Sequence, residues 1–386
     1  MKIEKSIRFR HKLLFKLIKP FATLFLKLKF SYKYKKAKNL PENYLVLSNH
    51  ATDYDPIMVA VSFKKQMYFV ASEHITRFGK AYDFLDYVFA PIVKYKGTIG
   101  ARTVIDVMKK TKKGGNVCIF AEGARTWDGV TQKIHPSTAK LVKAAGCGLV
   151  TFRLSGGYFS SPMWSGSKNT RRGKLTGEVK RSFTKEEIAG MSEDEICRII
   201  ETDLYENAYE TQKREMVKYK GKSLALGIER LLFKCPSCGA YDSFNSSGDK
   251  VKCDKCNLEF TYNAYGMLEG APFDTLLEFH NWQKEEITKD AESGLEYSSS
   301  SAELHIINDH KSSNIGSGSL TMTTEKLSLG EYEFNLSDIM EISMHGNNCL
   351  CFTYNGSYYE IKIIGSRCAL KYMLLFNELK LSKKDN

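Results

Sequence analysis

The 386-residue chain lacks any hydrophobic run long enough to cross a membrane. Near the N-terminus a lysine interrupts every apolar run well before the roughly 18 residues that a spanning helix needs. No group of small residues typical of signal-peptide cleavage follows this segment. These absences argue against a membrane-spanning protein and against a secreted one. The ten cysteines are therefore expected in the reducing cytosol.

Acidic residues are almost absent from residues 1–39, which hold 13 lysines and arginines against one glutamate. This segment therefore carries +12 of the formal net charge of +13. Its apolar residues follow helical spacing, with lysines on the other side. They are Leu14, Leu17, Ile18, Phe21, Leu24, Phe25 and Leu28. The pattern predicts a basic amphipathic helix on an anionic membrane surface, at the cytoplasmic face of the cell membrane. The alternative is a helix whose apolar stripe packs on the protein core.

A strand-like run, Tyr44–Leu47, leads into Ser-Asn-His-Ala-Thr-Asp-Tyr-Asp-Pro at residues 48–56. Asp55 followed by Pro56 is typical of a helix N-cap and a first helical residue, which places His50 at a strand-to-helix turn. There Asp55 can accept a hydrogen bond from His50 Nδ1 and leave Nε2 free as a general base. We therefore take His50 and Asp55 as the candidate catalytic pair.

A second strand-like run, Asn116–Phe120, leads into Ala-Glu-Gly-Ala-Arg at residues 121–125. The chain thus carries an Asn-His-x-x-x-x-Asp block, followed by a Phe-x-Glu-Gly-x-Arg block. In order and separation these blocks resemble those of the glycerolipid acyltransferase family, typified by lysophosphatidate (1-acyl-sn-glycerol-3-phosphate) acyltransferase. The resemblance covers residues 40–185.

Between the two blocks, Gly-Thr-Ile-Gly-Ala-Arg at residues 97–102 is similar to the family's Gly-x-Ile-x-Arg block, with one extra residue before Arg102. Ala121 and Ala124 stand where the family usually has proline and threonine. Neither position supplies a charged group, so these departures bear on loop geometry and substrate preference more than on the chemistry.

The resemblance implies transfer of an acyl group from acyl-coenzyme A or acyl-carrier protein to 1-acyl-glycerol-3-phosphate, giving phosphatidate for phospholipid synthesis. It makes His50 the base and Asp55 its partner. The acceptor-binding residues that it implies are Arg102, Glu122, Gly123 and Arg125. The alternatives are acylation of another lysophospholipid, a non-catalytic lipid-binding scaffold and, for each arginine, a surface salt bridge.

Strand-like runs alternate with helical segments between residues 40 and 220. The runs are Tyr44–Leu47, Met67–Val70, Ile92–Tyr95, Asn116–Phe120 and Leu149–Leu154. This alternation predicts a layered α/β domain whose sheet presents both motifs at strand ends. Capping-box sequences that begin at Thr184 and Ser192 predict helices that close the domain near residue 220.

Two Cys-x-x-Cys pairs follow, separated by fourteen residues. They predict a zinc ribbon over residues 234–262 with one structural zinc ion held by four thiolates. The ligands are Cys235, Cys238, Cys253 and Cys256. The alternative is free or disulfide-bonded cysteines. Basic and aromatic residues do not cluster in the ribbon, so nothing favours a nucleic-acid partner.

Residues 263–300 are expected to form a connector with a helix at Phe273–Ile287 and a polar linker at Ser298–Ser301. Residues 301–386 then alternate short β-rich runs with turns and end in a helical pattern, Arg367–Leu379. This mainly-β domain is similar in outline to the pleckstrin-homology-like barrel. A plain structural β domain is the alternative.

Overall fold

The structure is a computed structural model that describes residues 2–94, 101–166, 168–308, 311–365 and 368–382. It divides into two compact units. The first contains the described residues up to Pro162 together with Thr170–Lys220, and the second contains Met163–Asn169 and the residues from Gly221 onward.

A seven-stranded sheet forms the centre of the first unit, with the strand order β1-β7-β6-β2-β5-β3-β4. Its strands are β1 (Lys33–Tyr34), β2 (Tyr44–Ser48), β3 (Met67–Ser72), β4 (Ile92–Lys94), β5 (Asn116–Phe120), β6 (Gly148–Ser155) and β7 (Thr176–Phe183). The strands from β6 to β4 in this order are parallel, and β7 runs antiparallel to β6. This confirms the predicted layered α/β domain. Tyr95, expected at the end of β4, lies outside the described residues.

The helices of the first unit are α1 (Lys2–Phe30), α2 (Asp55–Ser62), α3 (Lys80–Phe89), α4 (Ala101–Lys112), α5 (Ser137–Ala145), α6 (Gly157–Ser160), α7 (Lys185–Gly190), α8 (Glu193–Leu204) and α9 (Ala208–Glu215). A 3-10 helix spans Glu73–Phe78. Both predicted capping boxes form, with Thr184 at the start of α7 and Ser192 at the start of α8. Across the described residues, every helix is too short or too polar to span a membrane.

Strand β2 lies between β5 and β6, and each of its residues is buried. The core around it is apolar and includes Leu45, Leu47, Val117, Val142, Leu149 and Ile196. Ser48 pairs with Phe120 on one side and with Phe152 on the other. Because β2 and β5 are parallel, their carboxyl ends meet at one edge of the sheet. The His50 and Glu122 blocks that follow these strands are therefore neighbours.

The helix after β2 begins one residue earlier than the sequence pattern indicates. Asp55 is its first residue, and Tyr54 occupies the N-cap position without a side-chain cap. The Asp55 carboxylate instead bonds back into the preceding turn, to Ala51 and Thr52. The expected N-cap at Asp55 is therefore wrong. The Asp55 carboxylate accepts hydrogen bonds from the preceding turn and is not available to cap the helix.

The second unit begins with a small antiparallel sheet in the order β11-β10-β9-β8. Its strands are β8 (Phe244–Ser247), β9 (Lys250–Cys253), β10 (Glu259–Tyr262) and β11 (Leu268–Glu269). Helix α10 (Leu276–Ser293) follows. This helix starts three residues later and ends six residues later than the expected Phe273–Ile287, and Thr275 caps it by accepting a hydrogen bond from the Glu278 amide.

A seven-stranded antiparallel sheet and a final helix complete the second unit, with the strand order β15-β14-β13-β12-β18-β17-β16. Its elements are β12 (Tyr297–Asn308), β13 (Lys311–Met322), β14 (Lys326–Leu329), β15 (Tyr332–Asn335), β16 (Ser343–His345), β17 (Cys349–Tyr354), β18 (Ser357–Ile363) and α11 (Leu370–Ser382). A mainly-β C-terminal region is thus confirmed. The described residues of this unit also form three 3-10 helices, Met163–Ser165, Ile228–Arg230 and Leu336–Asp338.

The polar run Ser298–Ser301 is not a linker. It lies inside β12 and pairs with β13. Ser299 is buried and accepts a hydrogen bond from the Tyr372 hydroxyl at 2.8 Å. Serine composition alone suggested a linker because this long-range partner is not visible in the local sequence.

Candidate active site and cysteine cluster

The predicted pair of His50 and Asp55 forms. His50 Nδ1 lies 2.8 Å from Asp55 Oδ2, and the Asp55 side chain is buried while the His50 side chain is 19% exposed. The His50 ring also stacks on Phe120, with ring centroids 4.1 Å apart. Since Nδ1 donates to Asp55 in this arrangement, Nε2 is the nitrogen left to accept a proton.

The Asp55 carboxylate is held by its own turn. Its Oδ2 accepts hydrogen bonds from the amides of Ala51 at 2.6 Å and Thr52 at 2.9 Å. Its Oδ1 accepts one from the Thr52 hydroxyl at 2.6 Å. A buried carboxylate needs such donors to offset its lost hydration. The orientation of His50 is therefore fixed by the backbone of residues 51 and 52 as well as by Asp55.

Asn49 ties the same turn to the neighbouring strand β6. Its Nδ2 donates to the Leu154 carbonyl at 2.8 Å, and its Oδ1 accepts from the Leu154 amide at 2.8 Å. The side chain is buried. Sequence reasoning included Asn49 in the motif but gave it no role, because its partner lies 105 residues away.

Glu122 lies directly beside the backbone of His50. Its Oε1 accepts from the His50 amide at 2.6 Å, and its Oε2 accepts from the Gln132 amide at 2.7 Å. Burial raises the pKa of Glu122 to about 8, although both amide hydrogen bonds oppose that shift. The structure thus gives Glu122 a contact with the His50 backbone, and Glu122 also lines the small space beside His50.

Arg125 lies against the His50 block. Its Nη1 is 3.0 Å from Asp53 Oδ2, and the arginine side chain is 12% exposed while that of Asp53 is 47% exposed. The backbones of the two blocks are joined as well, since the Thr126 amide donates to the His50 carbonyl at 3.0 Å. Asp53 was not predicted as a site residue. In this structure Asp53 is the counter-ion of Arg125, and the resemblance implies that Arg125 binds the acceptor phosphate.

The other two residues predicted to bind the acceptor, Gly123 and Arg102, are both exposed. Gly123 is exposed, and its φ of +72° is the left-handed conformation that glycine adopts most readily. Arg102 is exposed on the first turn of α4. Residues 97–100, the glycine-rich part of its block, lie outside the described residues.

A cavity of about 360 Å³ in the first unit adjoins the small space beside His50. Gly156, Glu206 and Ala208 line both. The lining of the larger cavity carries both carboxylates and basic side chains, including Arg153. This charged cavity therefore lies next to the small space that His50 lines.

The four predicted zinc ligands come together in the second unit. The sulfur atoms of Cys235 and Cys256 are 3.7 Å apart, and those of Cys238 and Cys253 are 3.8 Å apart. All four sulfurs lie within 4.8 Å of one another. A tetrahedral zinc ion with Zn–S bonds of about 2.3 Å requires sulfur atoms about 3.7 Å apart. The donor set and its spacing therefore fit zinc.

The mostly parallel α/β sheet places the histidine–aspartate pair beside the Glu-Gly-x-Arg turn, and these are the two blocks that resemble those of acyltransferases. Residues 31–155 match the model of the family described as Acyltransferase. This match includes both motif blocks, and it supports the resemblance seen in those motifs.

One solved structure similar to this chain is that of the 1-acyl-sn-glycerophosphate (LPA) acyltransferase PlsC from Thermotoga maritima. The two are 20% identical with a TM-score of 0.43, over 50% of this chain and 78% of that chain. No curated protein matches the chain.

Proposed function

We propose that the first unit transfers an acyl group from a thioester, acyl-coenzyme A or acyl-carrier protein, to the free hydroxyl of 1-acyl-glycerol-3-phosphate. The observation that carries this proposal is the 2.8 Å contact of His50 with the buried Asp55, in a turn that leaves the histidine partly exposed. A histidine held in this way is suited to take a proton from a hydroxyl group.

In this mechanism His50 Nε2 removes the hydroxyl proton while the acceptor oxygen attacks the thioester carbonyl carbon. The C–S bond then breaks, and the imidazolium returns its proton to the departing sulfur. Asp55 stabilises the imidazolium between these steps. The acceptor oxygen is itself the nucleophile, so the reaction needs no acyl-enzyme.

Arg125 is the proposed partner of the acceptor phosphate, with Arg102 as a second candidate. Arginine pairs with phosphate through strong charge-assisted hydrogen bonds. To reach Arg125, a phosphate replaces Asp53, whose carboxylate now lies 3.0 Å from Nη1. Because Asp53 is half-exposed, it can turn into solvent when the phosphate binds.

The same ion pair favours a second candidate acceptor. A phosphate monoester carries up to two negative charges, whereas the phosphodiester of a lysophospholipid with a larger head group carries one. If Asp53 stays beside Arg125, the smaller anionic charge is repelled less. Acylation of such a lysophospholipid is therefore the alternative that the structure supports.

We also propose that α1 holds the enzyme on an anionic bilayer. One face of the helix packs on the first unit, where Leu26 and Phe30 are buried. A second face exposes apolar side chains at helical spacing, which are Phe9, Leu13, Leu17, Phe21, Leu24 and Leu28. Phe21 is 75% exposed. The many lysines and arginines of residues 1–39, beside this apolar stripe, suit the helix to an anionic lipid surface.

The end of α1 lies next to the catalytic turn. Lys29 Nζ donates to the Tyr54 hydroxyl at 3.0 Å, and the ring centroids of Phe30 and Tyr54 are 4.8 Å apart. Tyr54 is the residue before Asp55. A bilayer bound along the stripe therefore lies close to the turn that would act on a lipid hydroxyl.

For the second unit, we propose that the cysteine cluster of the ribbon binds one structural zinc ion. Four thiolates leave no coordination position for a substrate, so the ion would stabilise residues 234–262 without taking part in acyl transfer.

The proposed activity is tested with purified full-length protein, labelled acyl-coenzyme A or acyl-carrier protein, and a panel of lysolipids in anionic vesicles. Products are resolved by mass. Labelled phosphatidate from 1-acyl-glycerol-3-phosphate supports the first candidate, and products confined to phosphodiester acceptors support the second. If no lysolipid is acylated by either donor, the lipid-binding scaffold becomes the better account.

A further inference from the structure

A second group of metal-binding side chains lies in the mainly-β part of the second unit, on the adjacent strands β16, β17 and β18. Cys351 pairs with Glu360, and Cys349 pairs with His345. Alternate residues of a strand share one face, and so do residues directly opposite each other. These four side chains therefore lie on the same face of the sheet.

The intervening residues occupy the other face. Leu350, Phe352 and Ile361 are fully buried in the apolar core. The polar face is enclosed as well, since Cys351, Glu360 and His345 are buried and Cys349 is half-buried. Both sides of this region thus exclude most water, but only one of them carries groups that bind cations.

The distances within the cluster suit a bound ion. The sulfur atoms of Cys349 and Cys351 and a carboxylate oxygen of Glu360 all lie within 4.8 Å of one another. His345 Nδ1 lies 2.7 Å from Glu360 Oε1. Carboxylates that bind metals are commonly held by a hydrogen bond of this kind, which orients them toward the ion.

Burial of these groups without a cation is costly. A carboxylate removed from water loses its hydration, which costs free energy. Two thiols beside it add no positive charge. A divalent cation bound between two thiolates and the carboxylate would offset the cost, and thiolate ligands select zinc over magnesium or calcium.

We propose that Cys349, Cys351 and Glu360 bind a second zinc ion, with His345 as a positioning residue that holds the Glu360 carboxylate. This site is separate from the ribbon cysteines, and it draws its ligands from the two strands β17 and β18, which are distant from those cysteines in sequence. Half-buried Cys349 marks the side from which the ion enters.

The test is the zinc content of full-length protein purified under a non-chelating reductant. We expect about two zinc ions per chain. Cys349→Ser/Cys351→Ser should lose one of them, and Cys235→Ser/Cys238→Ser should lose the other. Cys197→Ser is the matched control because this half-buried cysteine belongs to neither cluster, and it should keep both ions.

Two further measurements keep the proposal testable if a cysteine variant fails to fold. Chelator competition with the parent should reveal two zinc ions that are released separately. His345→Gln should weaken one of them by roughly tenfold to a hundredfold, the usual effect of losing a partner that orients a ligand.

The proposal is overturned if the parent holds one zinc ion that Cys349→Ser/Cys351→Ser retains. It is equally overturned if mass spectrometry of the parent, as purified and with free thiols alkylated, finds Cys349 and Cys351 joined as a disulfide. Neither outcome depends on acyltransferase activity.

Discussion

The catalytic turn of the first unit and the cysteine ribbon of the second are both compact groups of polar side chains, but they relate to the fold in opposite ways. His50 and Asp55 sit at the end of a buried parallel strand whose core is apolar and independent of them. The ribbon has short strands, and its four cysteines come together in one cluster. The domain that carries the first site is stabilised by its own apolar core. We expect the ribbon, in contrast, to depend on zinc binding by its cysteines for its stability.

This difference predicts which substitutions change chemistry and which change stability. A side chain of the catalytic turn should alter rates while the domain stays folded. Substitution of a ribbon cysteine should lower the stability of the ribbon, while acylation by the first unit is retained in part.

The largest effect is expected for His50→Ala, which removes the proposed base. Turnover of lysolipid should fall by roughly two to four orders of magnitude, the usual contribution of a general base. The melting temperature should change little. His135→Ala is the matched control, since His135 is exposed and its ring contacts Ser137. A fall in the melting temperature as large as that of a core variant would contradict the claim that the core is independent of the catalytic turn.

The ribbon should show the opposite outcome. Cys235→Ser should lose the ribbon zinc and unfold residues 234–262, because thiolate binding energy supplies the stability of such small domains. Limited proteolysis should cut the ribbon of this variant first, while acylation by the first unit is retained in part. A metal-free ribbon that resists protease would show that its own packing suffices.

Helix α1 gives the next largest effect. Leu17→Ser/Phe21→Ser should weaken binding to anionic vesicles at least tenfold, because burying each side chain is worth roughly 1.5–3 kcal/mol. Co-sedimentation measures this, with the lysine-to-serine variant Lys12→Ser as a comparison for the electrostatic part. Each basic residue adds about 1 kcal/mol near an anionic surface. This part should disappear with added salt, since the Debye length is about 8 Å at physiological ionic strength.

If the Leu17→Ser/Phe21→Ser protein sediments with vesicles as well as the parent does, the stripe does not contact the bilayer. Any contact with the membrane surface would then have to be made by another part of the chain.

Arg125 and Asp53 should shift acceptor affinity in opposite directions. Arg125→Ala should raise KM for 1-acyl-glycerol-3-phosphate by roughly tenfold to a hundredfold, the value of a hydrogen bond to a charged group. Asp53→Asn should lower that KM, because it removes the carboxylate that competes with phosphate. Steady-state kinetics with a phosphate-free acceptor serve as the control. An equal loss with that acceptor would show that Arg125 does not recognise phosphate.

The smallest effect concerns Glu122, whose pKa in the folded protein is raised to about 8 from 4.5 by burial. The folded state therefore holds a proton that the unfolded state has released between these two values. The contribution of Glu122 to the free energy of unfolding is therefore fully present below about pH 4.5. It is lost progressively as the pH rises toward 8. Glu122→Gln should flatten that part of the pH dependence of the unfolding free energy, whereas Glu186→Gln, on an exposed first turn of α7, should not. Identical slopes for Glu122→Gln and the parent would contradict the raised pKa.

Local sequence predicted those features whose determinants are local. The strands around the motifs, both capping boxes and the His50–Asp55 contact follow from residues a few positions apart. The ribbon cysteines also assemble as their spacing indicates.

Long-range partners account for what the sequence did not reveal. The Asp53–Arg125 ion pair and the Asn49–Leu154 hydrogen bonds depend on how three strands are ordered in the sheet. The grouping of Cys349 and Cys351 with Glu360 depends on the register of β17 with β18. The two-residue loop Asn355-Gly356 sets this register, and it is a local signal that the sequence prediction did not use.

The central claim is direct acyl transfer from a thioester to a lysolipid hydroxyl with His50 as the base. Its most direct test follows labelled acyl-coenzyme A, lysolipid product, free thiol and intact protein mass in one reaction, for the parent and for His50→Ala. We expect one thiol released per acylated lipid, no acyl group on the protein, and a rate that collapses without His50. Product formation at the parent rate by His50→Ala, or an acyl-enzyme that accumulates and is then consumed, would contradict the mechanism.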